Sequence, residues 1–131
     1  MNGTWEPNTG ATEDEISKLV VSTSKQLPEE YVNLLRTYNG GEGDLALDPM
    51  WLQLWPINDV VENNSVEPFI DYPDYFFFAS NGGMESIAFK LGRSNKNEMV
   101  MIDLIAGIDS CTIIATDFSE FISAIGNEIE G

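Results

Sequence analysis

The chain contains no histidine, one cysteine and only six basic residues among 131. Each shortage removes a class of chemistry. Without His there is no imidazole for acid–base work near neutral pH, no His–Ser or His–Cys nucleophilic pair and no His-ligated metal. Cys111 has no second cysteine to pair with, in keeping with a reducing compartment. It sits among Ser110, Thr112, Ile113 and Ile114, where it reads as a small buried hydrophobe in an apolar strand. No apolar run approaches the ~20 residues that a membrane span requires. The opening MNGTWEPNTGATEDE has neither the basic start nor the apolar segment of a secretory signal. The expectation is a soluble, cytoplasmic protein with no membrane partner.

The scarcity of basic residues is matched by 22 acidic ones, a formal net charge of −16. The charge is also segregated. Between Arg36 and Lys90 there is no Lys or Arg, while Glu42, Asp44, Asp48, Asp59, Glu62, Glu67, Asp71, Asp74 and Glu85 all fall there. Nothing in such a chain displaces the counterions of a phosphate backbone, so direct binding to DNA or RNA is not expected. A cationic partner is the natural complement, since a field of one sign steers the opposite charge and speeds encounter. Solubility alone is the competing explanation of the acidity.

What the chain does have is material for one core. It is 43% apolar, with seven Phe, four Tyr and three Trp. The element around which the rest is organised is Leu27 to Gly41, LPEEYVNLLRTYNGG. Pro28 suits the first helical position, and Glu29 and Glu30 suit the positive N-terminal turn. Tyr31, Leu34, Leu35 and Tyr38 share one face, and Asn39-Gly40-Gly41 supplies a C-terminal stop. Before it, Thr12 and Glu15 form a capping pair for a helix over about Glu13 to Ser24. Residues 1–11 read as an irregular lead-in.

After Gly43 the period changes. Leu45 and Leu47 alternate with polar neighbours as a short strand, and Trp51 to Trp55 reads as another. Pro56 to Asn63 carries Ile57, Val60 and Val61 at the spacing of one or two helical turns. Tyr75–Ala79, Ser86–Leu91, Met99–Leu104 and Ser110–Ala115 follow as strands separated by Asn81-Gly82-Gly83, by Gly92 to Asn97 and by Ala106-Gly107. Short turns between neighbours make this an antiparallel meander. Phe76-Phe77-Phe78 points to both faces of its strand, as a strand covered on both sides requires. Asp117 and Glu120 cap a last helix whose apolar face is Phe118, Phe121, Ile122, Ile125 and Ile129. The fold class is α+β: a mostly antiparallel sheet of about five to six strands, two N-terminal helices and one C-terminal helix, in a single domain over residues 1–131.

Chemistry is sparse. Asn39-Gly40-Gly41-Glu42-Gly43 is Gly-rich but follows a helix and lacks a Lys-Ser/Thr pair, so it is no phosphate cradle. Asp44 with Asp48, and Asp71 with Asp74, are the pairs that a divalent cation or a carboxylate-based hydrolase would use; in so acidic a chain they read as solvated loops. No catalytic residue, metal ligand or cofactor is assigned.

The chain resembles the SUKH superfamily, which includes fungal cell-wall-synthesis regulators and many bacterial immunity proteins. The resemblance rests on LPEEYVNLLRTYNGG; on Leu52-Gln53-Leu54-Trp55-Pro56-Ile57; on Phe78-Ala79-Ser80-Asn81-Gly82-Gly83-Met84-Glu85-Ser86-Ile87-Ala88-Phe89; and on Val100-Met101-Ile102-Asp103 with Ala115-Thr116-Asp117-Phe118-Ser119-Glu120-Phe121-Ile122. One departure is that the glycine turn, often Asp-bearing in the family, reads Asn81-Gly82-Gly83-Met84-Glu85 here. The resemblance implies a non-enzymatic binding protein that neutralises a toxin, often a nuclease, by direct contact. The alternative is a regulatory or scaffold module, and a more remote one is a small metal-dependent hydrolase. Family members diverge at the binding surface, so contact residues are read from charge alone. They are Glu42, Asp44, Asp48, Asp71, Asp74 and Glu85, with Trp51 or Tyr72 as an aromatic anchor.

Overall fold

The structure is a computed structural model that describes residues 3–23, 27–48, 50–91 and 98–127. The elements follow in the order β1 (Trp5–Pro7), α1 (Glu13–Ser22), α2 (Glu29–Thr37), β2 (Gly41–Asp44), β3 (Trp51–Leu54) and α3 (Ile57–Asn63). Then come β4 (Tyr75–Ser80), β5 (Glu85–Lys90), β6 (Met99–Asp103), β7 (Thr112–Ala115) and α4 (Phe118–Ala124). Among the described residues the sheet has seven strands in sequential order, every neighbour antiparallel. The α+β meander with helices near both ends is therefore observed, with seven strands in place of five to six.

The extra strand is β1, which lies in the stretch expected to be an irregular lead-in. Its three residues pair with Gly41, Glu42 and Gly43 of β2. Gly43 permits this approach: a Cβ there would collide with the Thr4 carbonyl oxygen. β2 also starts earlier than the Leu45–Leu47 strand expected from alternation. Leu45 is buried, but lies outside the strand and forms an isolated bridge to Ile125, and Ala46 N–H donates to the Ala124 carbonyl. The chain there leaves the sheet to pack on the end of α4.

The capped helices form as written. Thr12 accepts from Glu15 N–H while the Glu15 carboxylate accepts from Thr12 N–H. Asp117 accepts from Glu120 N–H in the same way at α4. α1 stops at Ser22, two residues short of expectation, and α2 runs from Glu29 to Thr37, with Pro28 just outside it. Arg36 of α2 pairs with Glu13 of α1 at 3.0 Å, and this hydrogen bond holds the Glu13 carboxyl below the usual carboxylate range. Tyr38 is extended, so Asn39 does not cap α2. Its side chain instead accepts from Ile57 N–H at 2.9 Å, satisfying the first turn of α3, whose own cap position is Pro56 and has no side-chain acceptor.

Both faces of the sheet are covered over β4 to β6. On the helix side Tyr31 is fully buried among Phe76, Phe78, Phe89 and Phe118, with ring centroids 5.4–6.0 Å away. A bulge in β4 adds one residue to its helix-side face. Phe77 pairs with Ala88 and Ala79 with Ile87, leaving Phe78 extra, so Phe76, Phe78 and Ala79 all join the helix-side core. Phe77 faces the other way with Ala88, Val100 and Ile102. There Phe69 and Tyr72, from the α3–β4 connection, lie on Phe77 at 5.1 and 6.0 Å. Asn64 ties this connection to the sheet: its amide donates to the Phe77 carbonyl at 2.7 Å and accepts from Phe77 N–H at 3.1 Å.

Cys111 departs from expectation. It lies just before β7 and is half-buried beside Tyr75, with Sγ 4.0 Å from the phenol oxygen. The turn expected at Gly92–Asn97 lies outside the described residues, as does Ile129.

Candidate acidic interface

The cover supplied by Phe69 and Tyr72 leaves the same face of β1, β2 and β3 open. Register decides what this open face carries. Glu6 is opposite Glu42, Glu42 opposite Gln53, and Gln53 opposite Ser80, so these side chains form one row across β1 to β4. Leu52 and Leu54 alternate with them and are buried on the helix side. Two residues further along the pair, Asp44 stands opposite Trp51.

Toward the Pro7 and Leu54 ends of the strands the face deepens into a groove of about 510 Å³. Glu6, Glu42 and Asp59 bring carboxylates to it; Asn8, Gln53 and Asn63 add amides; Trp55 and Pro56 contribute apolar walls. Asp59 reaches it because α3 begins at the Asn39 cap directly after β3. No Lys or Arg lines this groove among the described residues. The result is a strip of negative charge running from Asp59 through Glu6 and Glu42 to Asp44.

The eight residues singled out from the sequence divide by position. Glu42, Asp44 and Trp51 fall together on the open face, where Trp51 Nε1 donates to Glu42 Oε2 at 3.3 Å. Asp44 Oδ2 also accepts from Thr4 N–H at 2.6 Å, which fixes its carboxylate beside β1. Asp48 is exposed in the β2–β3 connection. Glu85 opens β5 opposite Asp103, on the alternate side of the strand from Ser86 and Ala88, and accepts from the Asn81 amide at 3.4 Å. Asp71, Tyr72 and Asp74 belong to the α3–β4 connection, where Tyr72 is half-buried against Phe77 while both acids are exposed. Glu6, Gln53 and Asp59 join this face without being among the eight. The available signal was Gly41 and Gly43, since glycines inside a strand mark the close approach of another backbone.

Among the described residues no group of three or more His, Cys, Asp or Glu is placed to hold a metal ion. No helix among the described residues is long and apolar enough to cross a membrane.

The fold is thus an antiparallel meander with helices packed on one face and a polar, partly open second face. The model of the SMI1/KNR4 family (SUKH-1) matches residues 10–124, and the chain belongs to that family. No curated protein matches the chain.

Proposed function

We propose that this chain is an immunity-type binding protein that neutralises a basic toxin domain, of nuclease type, by direct contact through the acidic strip. The observation that carries the reading is the gathering of Glu6, Glu42, Asp44 and Asp59 on the open face of β1–β3 and its groove, with no Lys or Arg lining that groove among the described residues. Family membership supports it at the coarser level, because the SUKH group includes toxin-immunity proteins. The physical logic is that of electrostatic steering. A nucleic-acid-cleaving domain presents a basic face to its substrate, and a strongly acidic face reaches that surface quickly and masks it. The partner is a protein, no cofactor takes part, and the setting is the cytoplasm in which such a toxin acts.

The experiment pairs the full chain with the product of the gene next to its own, both purified and expressed together in cells. The expected result is a tight complex and restored growth of cells that the neighbouring product otherwise kills. A neighbour that is harmless and does not bind the chain would overturn this reading in favour of a regulatory module.

A further inference from the structure

At the end of the open face away from the groove, the β2–β3 connection and the β4–β5 turn lie side by side. A Cβ placed on Gly82 would stand 3.6 Å from the indole Cδ1 of Trp51, so the turn lies against the Trp51 ring. Three large apolar side chains are exposed at these two tips: Met50 at 56%, Trp51 at 36% and Met84 at 62%. Scattered single hydrophobes need no explanation, but a Trp with Met neighbours on adjacent tips is the composition of an interface centre.

Met50 adds an independent observation. Its φ is +73°, a conformation that favours Gly or Asn and is costly for a long side chain. The turn holds it there, with Met50 N–H donating to the Leu47 carbonyl at 2.6 Å and Leu45 N–H donating to the Met50 carbonyl at 3.2 Å. Glycine would satisfy the backbone better. The fold accepts strain at Met50, an exposed thioether next to Trp51 in the chain.

We infer that Met50, Trp51 and Met84 form the apolar anchor of the interface, and that the partner inserts an uncharged apolar side chain there between flanking Lys or Arg residues. Charge selects this occupant. Glu42 and Asp44 sit beside Trp51 on the open face, and Asp48 lies in the same β2–β3 connection as Met50. A second copy of the chain would bring carboxylates against carboxylates, and an anionic lipid surface would be repelled. A basic protein with an apolar knob satisfies both halves of the surface. This inference rests on the function proposed above and adds a division of labour to it. The acidic strip governs the association rate, and the apolar anchor governs the lifetime of the complex.

The test compares Trp51→Ala, Met84→Ser and Met50→Gly with the wild type in surface-binding kinetics against the product of the neighbouring gene. Each variant is expected to raise koff by about tenfold while leaving kon and its salt dependence unchanged. Met50→Gly is the discriminating variant, because it relieves backbone strain: its melting temperature is expected to rise while its complex dissociates faster. Wild-type binding with koff within about twofold in all three variants would overturn the anchor and leave the proposed function standing. Absence of wild-type binding would overturn both. Sedimentation of the protein alone supplies the remaining outcome: a wild-type dimer lost in Trp51→Ala would assign the patch to a second copy and overturn the inference.

Discussion

Trp51 Nε1 donates to Glu42 Oε2 at 3.3 Å across the β2–β3 pair, binding an exposed aromatic ring to a carboxylate of the acidic strip. Glu42→Gln keeps the oxygen acceptor and the shape and removes the charge. Such surface changes stay within about 0.5 kcal/mol of wild-type stability. The expected outcome is an unchanged melting temperature with a slower kon toward the neighbouring gene product, read by stopped-flow fluorescence.

Tyr31 is the clearest internal test of the fold. Its buried hydroxyl has no hydrogen-bond partner among the described residues, and burial pushes its phenol well above the ordinary tyrosine value. Tyr31→Phe removes an unsatisfied buried group and keeps the ring among Phe76, Phe78, Phe89 and Phe118, so a gain of about 1 kcal/mol is expected in urea unfolding. The sign with pH follows from linkage. Because the folded state resists ionisation, the unfolded state releases the Tyr31 proton first, and stability falls as pH rises past about 10. The alkaline loss of stability should be smaller in Tyr31→Phe.

Gly43→Ala tests whether β1 belongs to the sheet. Its Cβ would collide with the Thr4 carbonyl, so β1 must move away or β2 must shift. Overpacking of this kind costs about 1–3 kcal/mol. Hydrogen exchange should show lost protection of the Asp44 amide, which donates to the Thr4 carbonyl at 2.7 Å.

Asn64 links α3 to β4 through both its amide nitrogen and its amide oxygen on Phe77, and its nitrogen also donates to the Val60 carbonyl at 2.8 Å. Asn64→Ala leaves the part-buried Phe77 groups without that partner. A loss of about 2–3 kcal/mol is expected, seen as a lower urea midpoint. The loosened cover of Phe69 and Tyr72 should appear as faster exchange at the Tyr72 amide, which donates to the Phe69 carbonyl.

What the sequence made legible follows its local signals. Thr12 with Glu15 and Asp117 with Glu120 announce their helices because a cap is a contact between near neighbours. The Phe76–Phe78 triplet announced a strand covered on both sides for the same reason. Asn39 misleads because its partner, Ile57 N–H, is eighteen residues away. β1 was hidden because three residues carry too little alternation to be read, and what makes them a strand is space left by Gly43 in another element. The site divides in the same manner. Glu42, Asp44 and Trp51 are visible through the segregation of charge and meet on one face of two neighbouring strands. Glu6 and Asp59 join them only through the pairing of β1 and the start of α3. Tyr72, an equally plausible anchor by sequence, is taken up by Phe77, a contact that no local pattern encodes.

If the open face of β1–β3 meets a basic partner through its carboxylates, association must slow as salt rises. The most direct measurement is kon for the neighbouring gene product across a salt series, for the wild type and for a Glu6→Gln, Glu42→Gln, Asp59→Asn variant. The wild-type rate is expected to fall by about tenfold or more from low to high salt, and the variant to begin slow and change little. A wild-type rate indifferent to salt, or a variant that tracks the wild type at every salt concentration, would contradict the account.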